Sequence, residues 1–200
     1  MPGTHARRSD AEVVAAIRTA VIEELLEVGM GRLTMQSIAL RAGVAKTSLY
    51  RRWDTPEDVL LDALQAEFPH ERSLPTTNNL RHDLLEALRL MVAWMATPTA
   101  QATAAILAER SRYPQLAQAI YTHIFEPKGG RFTSTVLQHY ADTGEFDPRL
   151  LTPTVADIGE AMVLKIAFDS GELPTEQILT DIVDQAILPA VGRPRLLDES

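Results

Sequence analysis

The sequence RLTMQSIALRAGVAKTSLYRRW, residues 32–53, decides the fold of this chain. It predicts two short helices joined by a tight turn at Gly43, because glycine adopts the positive φ that commonly follows a helix end without steric cost. Leu49, six residues later, faces inward from the second helix. A small residue, a glycine four positions on and an aliphatic residue six beyond that are the spacing of a helix-turn-helix. The apolar residues of the first helix recur along one buried face: Met35, Ile38, Ala39 and Ala42.

The charges in this stretch are all positive. Nineteen basic and 27 acidic residues give the whole chain a net charge of −8, so a local basic surface stands out and is typical of a nucleic-acid site. The alternative is an ordinary helical hairpin with a solvated basic face. Five basic residues and no acidic one lie between residues 31 and 53: Arg32, Arg41, Lys46, Arg51 and Arg52.

Residues 29–61 resemble the DNA-binding domain of the TetR (tetracycline-repressor) family of bacterial regulators. The family pattern is roughly G-x-x-x-x-T-x-x-x-I-A-x-x-A-G-V-S-x-x-x-[LI]-Y-x-[HY]-F-x-x-K-x-x-L. Trp53 stands where the family usually has phenylalanine, and Leu60 or Leu61 supplies the last aliphatic position. Eight further positions match: Thr34, Ile38, Ala39, Ala42, Gly43, Val44, Leu49 and Tyr50.

Three departures from the family pattern bear on DNA binding. Ala45 replaces the usual serine, so the second helix of the motif lacks a side-chain cap. Arg52 replaces histidine or tyrosine, and Pro56 occupies the usual position of a lysine that contacts phosphate. Arg51 and Arg52 are candidates to supply that missing charge.

The resemblance implies where DNA would bind. Residues 45–52 are the expected recognition helix, lying in the major groove, and the tyrosine matching Tyr50 commonly touches a phosphate in the family. Thr34 is expected to cap the preceding helix, whose free N–H groups would point at a phosphate. Trp53 is predicted to pack in the core. The full set of predicted DNA-binding residues is Thr34, Gln36, Lys46, Thr47, Ser48, Tyr50, Arg51 and Arg52.

The whole chain of 200 residues is predicted to be all-α, with no segment that alternates as a strand. We expect a three-helix DNA-binding domain with a helix-turn-helix (residues 1–54), a connecting helix and loop (55–78), and a helical ligand-binding and dimerisation domain (79–200). Residues 1–9 are either a disordered tail or a basic arm that reaches DNA. Residues 69–79 are polar, contain two prolines and read as a loop.

The last two predicted helices are candidates for a dimer interface, as the resemblance implies, by forming a four-helix bundle across a two-fold axis. Apolar residues of the final helix recur as adjacent pairs, at 178/179, 182/183 and 186/187. Pairs of this kind give a wider apolar surface than one core-facing stripe needs. The alternatives are a second buried face toward another subunit and a helix deep in the monomer core.

The helical domain is also a candidate for binding a small-molecule effector. Large, adaptable and mostly apolar side chains between bundle helices are typical of such sites, although they are equally typical of plain core. Arg110 is the expected polar anchor. The predicted effector-binding residues are Met91, Trp94, Met95, Arg110, Tyr113, Tyr121, Phe125 and Met162.

Several other classes of function find no support in the sequence. There is no cysteine, and the five histidines show no close metal-ligand spacing, so neither metal nor cofactor is expected. There is no GxSxG, Walker or GxGxxG motif, so we expect no enzyme. The longest apolar run has 7 residues, far below a membrane span, and no signal peptide is evident. A cytoplasmic protein without membrane contact is therefore expected.

These observations predict a ligand-responsive homodimeric repressor that binds a palindromic operator in double-stranded DNA. One alternative is a helical small-molecule-binding protein whose helix-turn-helix is structural only. Another is a regulator that needs no ligand. A globally acidic protein should in any case bind nonspecific DNA weakly.

Overall fold

The computed structural model describes residues 9–68, 77–125, 127 and 132–193. Helices make up its regular structure, and no strand occurs within those ranges. Residues 1–8 of the predicted arm and most of the predicted loop at 69–79 lie outside the described residues, as do the two consecutive glycines at 129–130. The helices are α1 (Asp10–Val28), α2 (Met35–Ala42), α3 (Lys46–Tyr50), α4 (Pro56–Glu67), α5 (Leu80–Met95), α6 (Pro98–Ala108), α7 (Pro114–Ile120), α8 (Phe132–Asp142), α9 (Pro153–Ser170), α10 (Glu176–Ile182) and α11 (Leu188–Ala190).

The chain divides into two compact units. The first comprises Met1–Phe68 together with Pro98–Pro127, and the second comprises Pro69–Thr97 together with Lys128–Ser200. Helices α6 and α7 therefore belong with the helix-turn-helix, on the N-terminal side of the division. The domain limits expected from the sequence remain a prediction.

Capping side chains fix where the helices of the first unit begin. Ser9, Thr34 and Thr55 each accept a hydrogen bond from a backbone N–H three residues later and so start α1, α2 and α4. Such caps satisfy backbone donors that have no partner inside the helix. Pro56 follows Thr55 at the first helical position, where its missing N–H costs nothing. The helix start predicted at Thr34 is thus confirmed.

The core of the first unit is built on α1, which packs against α2, α4 and α6. Trp53 is buried, as predicted. Two ion pairs tie α1 to its neighbours: Arg18 Nε donates to Asp62 of α4 at 2.8 Å, and Arg41 Nε of α2 donates to Glu24 at 2.6 Å. The largest of the fully buried side chains in this unit are Ile17, Ile38, Leu49, Leu60, Leu64, Ile106, Ile120 and Ile124.

The second unit has its own core, formed by α5, α8, α9 and the last helical segment, which comprises α10, α11 and the residues between them (176–190). Arg81 of α5 binds the buried Asp184 through two hydrogen bonds of 2.6 and 2.9 Å. Helix α9 approaches its neighbours closely at Gly159. A Cβ atom there would lie 2.8 Å from Thr133 Cγ2 and 3.0 Å from Ile187 Cδ1, so glycine permits this packing.

Two π-helical segments interrupt what the sequence predicts as regular helix, Tyr121–Phe125 after α7 and Val183–Ile187 between α10 and α11. Each ends two residues before a proline, Pro127 or Pro189. A proline inside a helix donates no hydrogen bond, and its ring crowds the carbonyl four residues earlier. A widened turn at that carbonyl relieves the crowding.

A buried polar network in the second unit converges on Asp83. The hydroxyl of Tyr140 donates to its Oδ2 at 2.7 Å, and Thr77 donates through its backbone N at 3.1 Å and its Oγ1 at 2.9 Å. Burial, followed by the hydrogen bond to Asp83, raises the pKa of Tyr140 from 10.0 to about 12. The folded state therefore holds this phenolic proton more tightly than the unfolded chain does.

Replacing Tyr140 with phenylalanine should lower the free energy of unfolding by about 1–3 kcal/mol, because the buried Asp83 carboxylate loses a donor. The raised pKa contributes stability that is complete below about pH 10 and is lost as the pH rises toward about 12. Urea unfolding of wild type and variant at pH 8 and pH 11 should show the difference shrinking at the higher pH. Tyr121→Phe, at a half-exposed ring, is the control; an equal loss there would contradict the role of the network.

No described helix alone is long and apolar enough to cross a membrane. The consecutive helices α5 and α6 reach the required length and composition only when the two are taken together.

Candidate nucleic-acid interface

The turn between α2 and α3 has the geometry that the sequence predicts. Gly43 adopts the left-handed conformation, with φ 65° and ψ 39°. The backbone N–H groups of Gly43 and Val44 return to carbonyls at the end of α2, with Val44 N 3.1 Å from Ala39 O. Leu49, on the inner face of α3, is fully buried. The pair α2–α3 is therefore a helix-turn-helix held by its own short core.

Helix α3 is shorter than the predicted recognition helix of residues 45–52. Ala45 has an extended backbone and offers no side-chain cap, as its departure from the family pattern predicts. Beyond Tyr50 the chain turns tightly, because the N–H groups of Arg52 and Trp53 both bond to Leu49 O. Arg51 and Arg52 thus lie just after the regular helix.

An open cavity of about 480 Å³ lies between α2, α3 and α4 at the surface of the first unit. The N-termini of α2 and α4 both border it, and helix N-termini present unpaired N–H donors and partial positive charge that favour anions. Four of the eight predicted DNA-binding residues line the cavity: Thr34, Gln36, Lys46 and Tyr50.

The exposed side chains of α3 are the polar ones that the sequence predicts as DNA contacts. Lys46 and Thr47 are exposed, Ser48 is half-buried, and the Tyr50 ring is 50% exposed. The Lys46 Nζ lies 5.4 Å from the centre of the Tyr50 ring, one helical turn away. This cation–π contact holds the ammonium group beside the cavity.

The basic residues of the motif do not form one uninterrupted surface, because α1 brings acidic residues to them. Arg41 turns back to α1, where it binds Glu24 and Glu27 and lies 3.9 Å from Glu23. Arg32 donates through its Nε to the carbonyl of Val28 at 3.1 Å. These two arginines serve to join α1 to the motif.

Asp10 of α1 binds both remaining arginines. Its Oδ1 accepts from Arg51 Nη2 at 3.0 Å, and its Oδ2 accepts from Arg52 Nη2. The hydrogen bond from Arg52 is the main reason that the pKa of Asp10 lies below its ordinary value. Among the ion pairs of the described residues, none involves Lys46.

Sequence reasoning missed three residues that border the cavity from the start of α4: Asp54, Thr55 and Glu57. In the sequence, the segment from Asp54 to Glu57 has the composition of a helix start, with a capping residue before proline and glutamate. Its position beside the DNA-binding candidates arises from tertiary packing. The available signal was the cap itself, since a capped N-terminus near a basic helix is a possible anion site.

The eight predicted effector-binding residues fall into two groups of four, one in each compact unit. In the first unit, Tyr121 and Phe125 are in edge-to-face contact at 5.2 Å, Arg112 lies over the ring of Tyr113, and Arg110 is exposed. In the second unit, Met91 is buried in the core and Met95 packs against that core. The centre of the Trp94 ring lies 6.4 Å from that of Phe132, and Met162 on α9 is 37% exposed. The predicted effector-binding set stays a prediction.

No group of three or more metal-ligating side chains occurs among the described residues.

This architecture is that of an all-helical helix-turn-helix protein, and comparison with known proteins gives its family. The family model described as bacterial regulatory proteins, tetR family, matches residues 17–63. The model described as tetracyclin repressor-like, C-terminal domain, matches residues 74–186, more than half of the chain. The chain belongs to the TetR family of DNA-binding transcriptional regulators.

Individual relatives agree with this assignment. An uncharacterized HTH-type transcriptional regulator of Mycobacterium tuberculosis is 28% identical over 169 residues, covering 84% of this chain and 83% of that protein. The DNA-binding transcriptional repressor TetR of Mycobacteroides abscessus is 27% identical over 179 residues, covering 87% and 91%. Both names describe transcriptional regulators.

Solved structures share the fold. The TetR family transcription regulator SCO0332 matches with a TM-score of 0.64 at 25% identity, covering 90% of this chain and 98% of that chain. The fatty acid degradation regulator FadR from Bacillus halodurans matches with a TM-score of 0.69 at 15% identity, covering 92% and 97%. The second likeness concerns the fold alone.

Proposed function

We propose that this protein is a homodimeric repressor that binds a palindromic operator through α3. It would release the operator when a small molecule binds the helical ligand-binding domain predicted at residues 79–200. One observation carries the proposal: the cavity that places Lys46 and Tyr50 beside the N-termini of α2 and α4. The N-terminus of α2 and the Lys46 ammonium group favour the phosphates of a DNA backbone. The Asp54 and Glu57 carboxylates repel phosphate from the side of the cavity at the start of α4. The exposed Lys46 and Thr47 of α3 then reach base edges in the major groove.

The roles within this interface follow from chemistry. Lysine donates to guanine O6 or N7, and the threonine methyl contacts the methyl group of thymine. The Tyr50 hydroxyl and the N-terminus of α2 at Thr34 would bind phosphate oxygens, which position the protein without reading sequence. Gln36, exposed at the start of α2, would contribute to the same phosphate contacts.

The proposed dimer rests on the exposed apolar side chains of α9. Phe168 is 89% exposed and Leu164 is 51% exposed, and they lie four residues apart on one face together with Ala161. An exposed apolar stripe of this kind is typical of a protein–protein interface. A two-fold dimer would place the two α3 helices about 34–36 Å apart, or somewhat further, to match a palindromic site.

The adjacent apolar pairs of the last helical segment do not support the dimer. Leu179, Ile182, Val183 and Ile187 are all buried in the core of their own unit. Of the two explanations that the sequence left open for these pairs, the monomer core accounts for most of them.

The effector is proposed to be an apolar or aromatic small molecule that contacts residues of the predicted effector set. Such a ligand shifts the equilibrium between two arrangements of the dimer only by its difference in affinity for them. A regulator without ligand would bind operator DNA in the same way but show no release by small molecules. A ligand-binding protein with a merely structural helix-turn-helix would show no salt-sensitive binding to DNA.

Selection of bound duplexes from a randomised library tests the proposal. The full-length protein is mixed with the library, retained duplexes are amplified and sequenced, and the cycle is repeated. We expect enrichment of an inverted repeat whose half-sites lie about one helical turn apart or slightly more. Enrichment of no motif, from a preparation whose unfolding is cooperative, would contradict the proposed function.

A further inference from the structure

Asp10 occupies the two arginines that follow the recognition helix. It lies at the first position of α1, directly after the capping Ser9. Its two carboxylate oxygens bind one arginine each, Arg51 and Arg52. The Asp10 and Arg51 side chains are about two-thirds exposed and that of Arg52 is one-third exposed. The cluster therefore lies where solvent, and a second anion, can reach it.

A carboxylate that receives N–H groups from two guanidinium ions resembles a phosphate group in charge and in its acceptor atoms. Each N–H directed at Asp10 is a donor that a DNA phosphate would otherwise use. Asp10 is ionised at neutral pH even at its ordinary pKa of 3.8, so its carboxylate carries a full negative charge. We propose that Asp10 competes with DNA phosphates for Arg51 and Arg52, and so weakens the sequence-independent part of DNA binding. This inference rests on the proposed function.

The expected strength of this competition is modest. One exposed ion pair changes an equilibrium constant by up to about fivefold, and Asp10 makes two such pairs. A phosphate can therefore displace Asp10 without disrupting the fold. DNA of arbitrary sequence is held almost entirely by phosphate contacts. The competition therefore lowers affinity for DNA of any sequence, and it removes the largest share of the binding free energy from DNA of arbitrary sequence.

The Asp10→Asn variant of the full-length protein tests the proposal. Fluorescence anisotropy would compare its binding to the operator duplex and to a scrambled duplex of equal length, over a range of salt concentrations. We expect binding to the scrambled duplex to tighten about threefold to tenfold. The slope of log affinity against log salt should steepen by about one for each arginine released. Arg51→Ala and Arg52→Ala added to Asp10→Asn should abolish both gains.

The matched control is Asp142→Asn, at the end of α8 in the second unit, which changes the net charge equally and should alter affinity less than twofold. Unchanged or weaker binding of Asp10→Asn with an unchanged salt slope, while wild type binds the operator, would overturn the inference and mean that Asp10 only positions the arginines. Failure of wild type itself to bind any duplex would overturn the proposed function, and the inference with it.

Discussion

Replacing Lys46 with alanine is expected to weaken operator binding by about thirtyfold to ten-thousandfold, with no loss of the fold or of the proposed dimer. Lys46 is exposed, borders the cavity and lies over the Tyr50 ring. Loss of a base or phosphate contact typically costs about 1–3 kcal/mol. Each dimer loses the contact twice. Because the side chain contributes nothing to the core, the free energy of unfolding should stay within about 0.5 kcal/mol of wild type.

The measurement is a titration of the operator duplex by fluorescence anisotropy, with urea unfolding and mass determination on the same samples. Arg149→Ala is the matched control, since it also removes an exposed positive charge, but from the second unit. Tyr50→Ala should resemble Lys46→Ala, because it removes the ring that supports the ammonium group. Wild-type affinity in both Lys46→Ala and Tyr50→Ala would show that the DNA surface has been misplaced.

Replacing Phe168 with aspartate is expected to convert the proposed dimer into a monomer. Burying a phenylalanine side chain contributes about 1.5–3 kcal/mol, and the two-fold axis doubles the loss to about 3–6 kcal/mol. The dissociation constant of the dimer should therefore rise by about two to four orders of magnitude. A monomer carries one α3, so operator affinity should fall as well.

Light scattering at micromolar concentration, which reports the molar mass directly, measures this effect. Leu40→Asp is the control for the mass, because Leu40 is 83% exposed but lies on α2. A Phe168→Asp protein that keeps the mass of a dimer would place the interface elsewhere. A wild-type protein that is monomeric even when bound to DNA would contradict the dimer itself.

Much of the first unit follows from local sequence signals. The capping threonines at 34 and 55 start α2 and α4, and Gly43 ends α2 in the left-handed conformation. These features act over three or four residues, so that the sequence alone indicates them. The buried Leu49 and Trp53 follow equally from the spacing of apolar residues around the turn.

The charges of the candidate site were harder to predict. Counting residues 31–53 suggested an uninterrupted basic surface, but Arg41 binds glutamates of α1, 14 and 17 residues away, and Arg51 and Arg52 bind Asp10 across 41 and 42 residues. Pairing at such separations depends on how α1 crosses the motif. The spacing of residues within a single helix therefore does not predict these ion pairs.

The second unit was predicted correctly in its helical character and less well in its detail. The π-helical segments shift hydrogen bonds by one residue while leaving the apolar pattern of the helix intact. The apolar pairs near the C-terminus are shared between several neighbours inside one core. Pattern alone does not distinguish that arrangement from an interface, since both bury two faces of a helix.

The most direct test of the central claim, that the surface of α3 binds a specific DNA sequence, is fluorescence anisotropy of the wild-type protein with the duplex enriched from the randomised library. Titrations at about 50 and 200 mM salt would be run with and without excess scrambled DNA. The account predicts saturable binding that weakens on the order of a thousandfold across this salt range and survives the scrambled competitor. Binding that the scrambled DNA abolishes equally well, or that ignores salt, would contradict it.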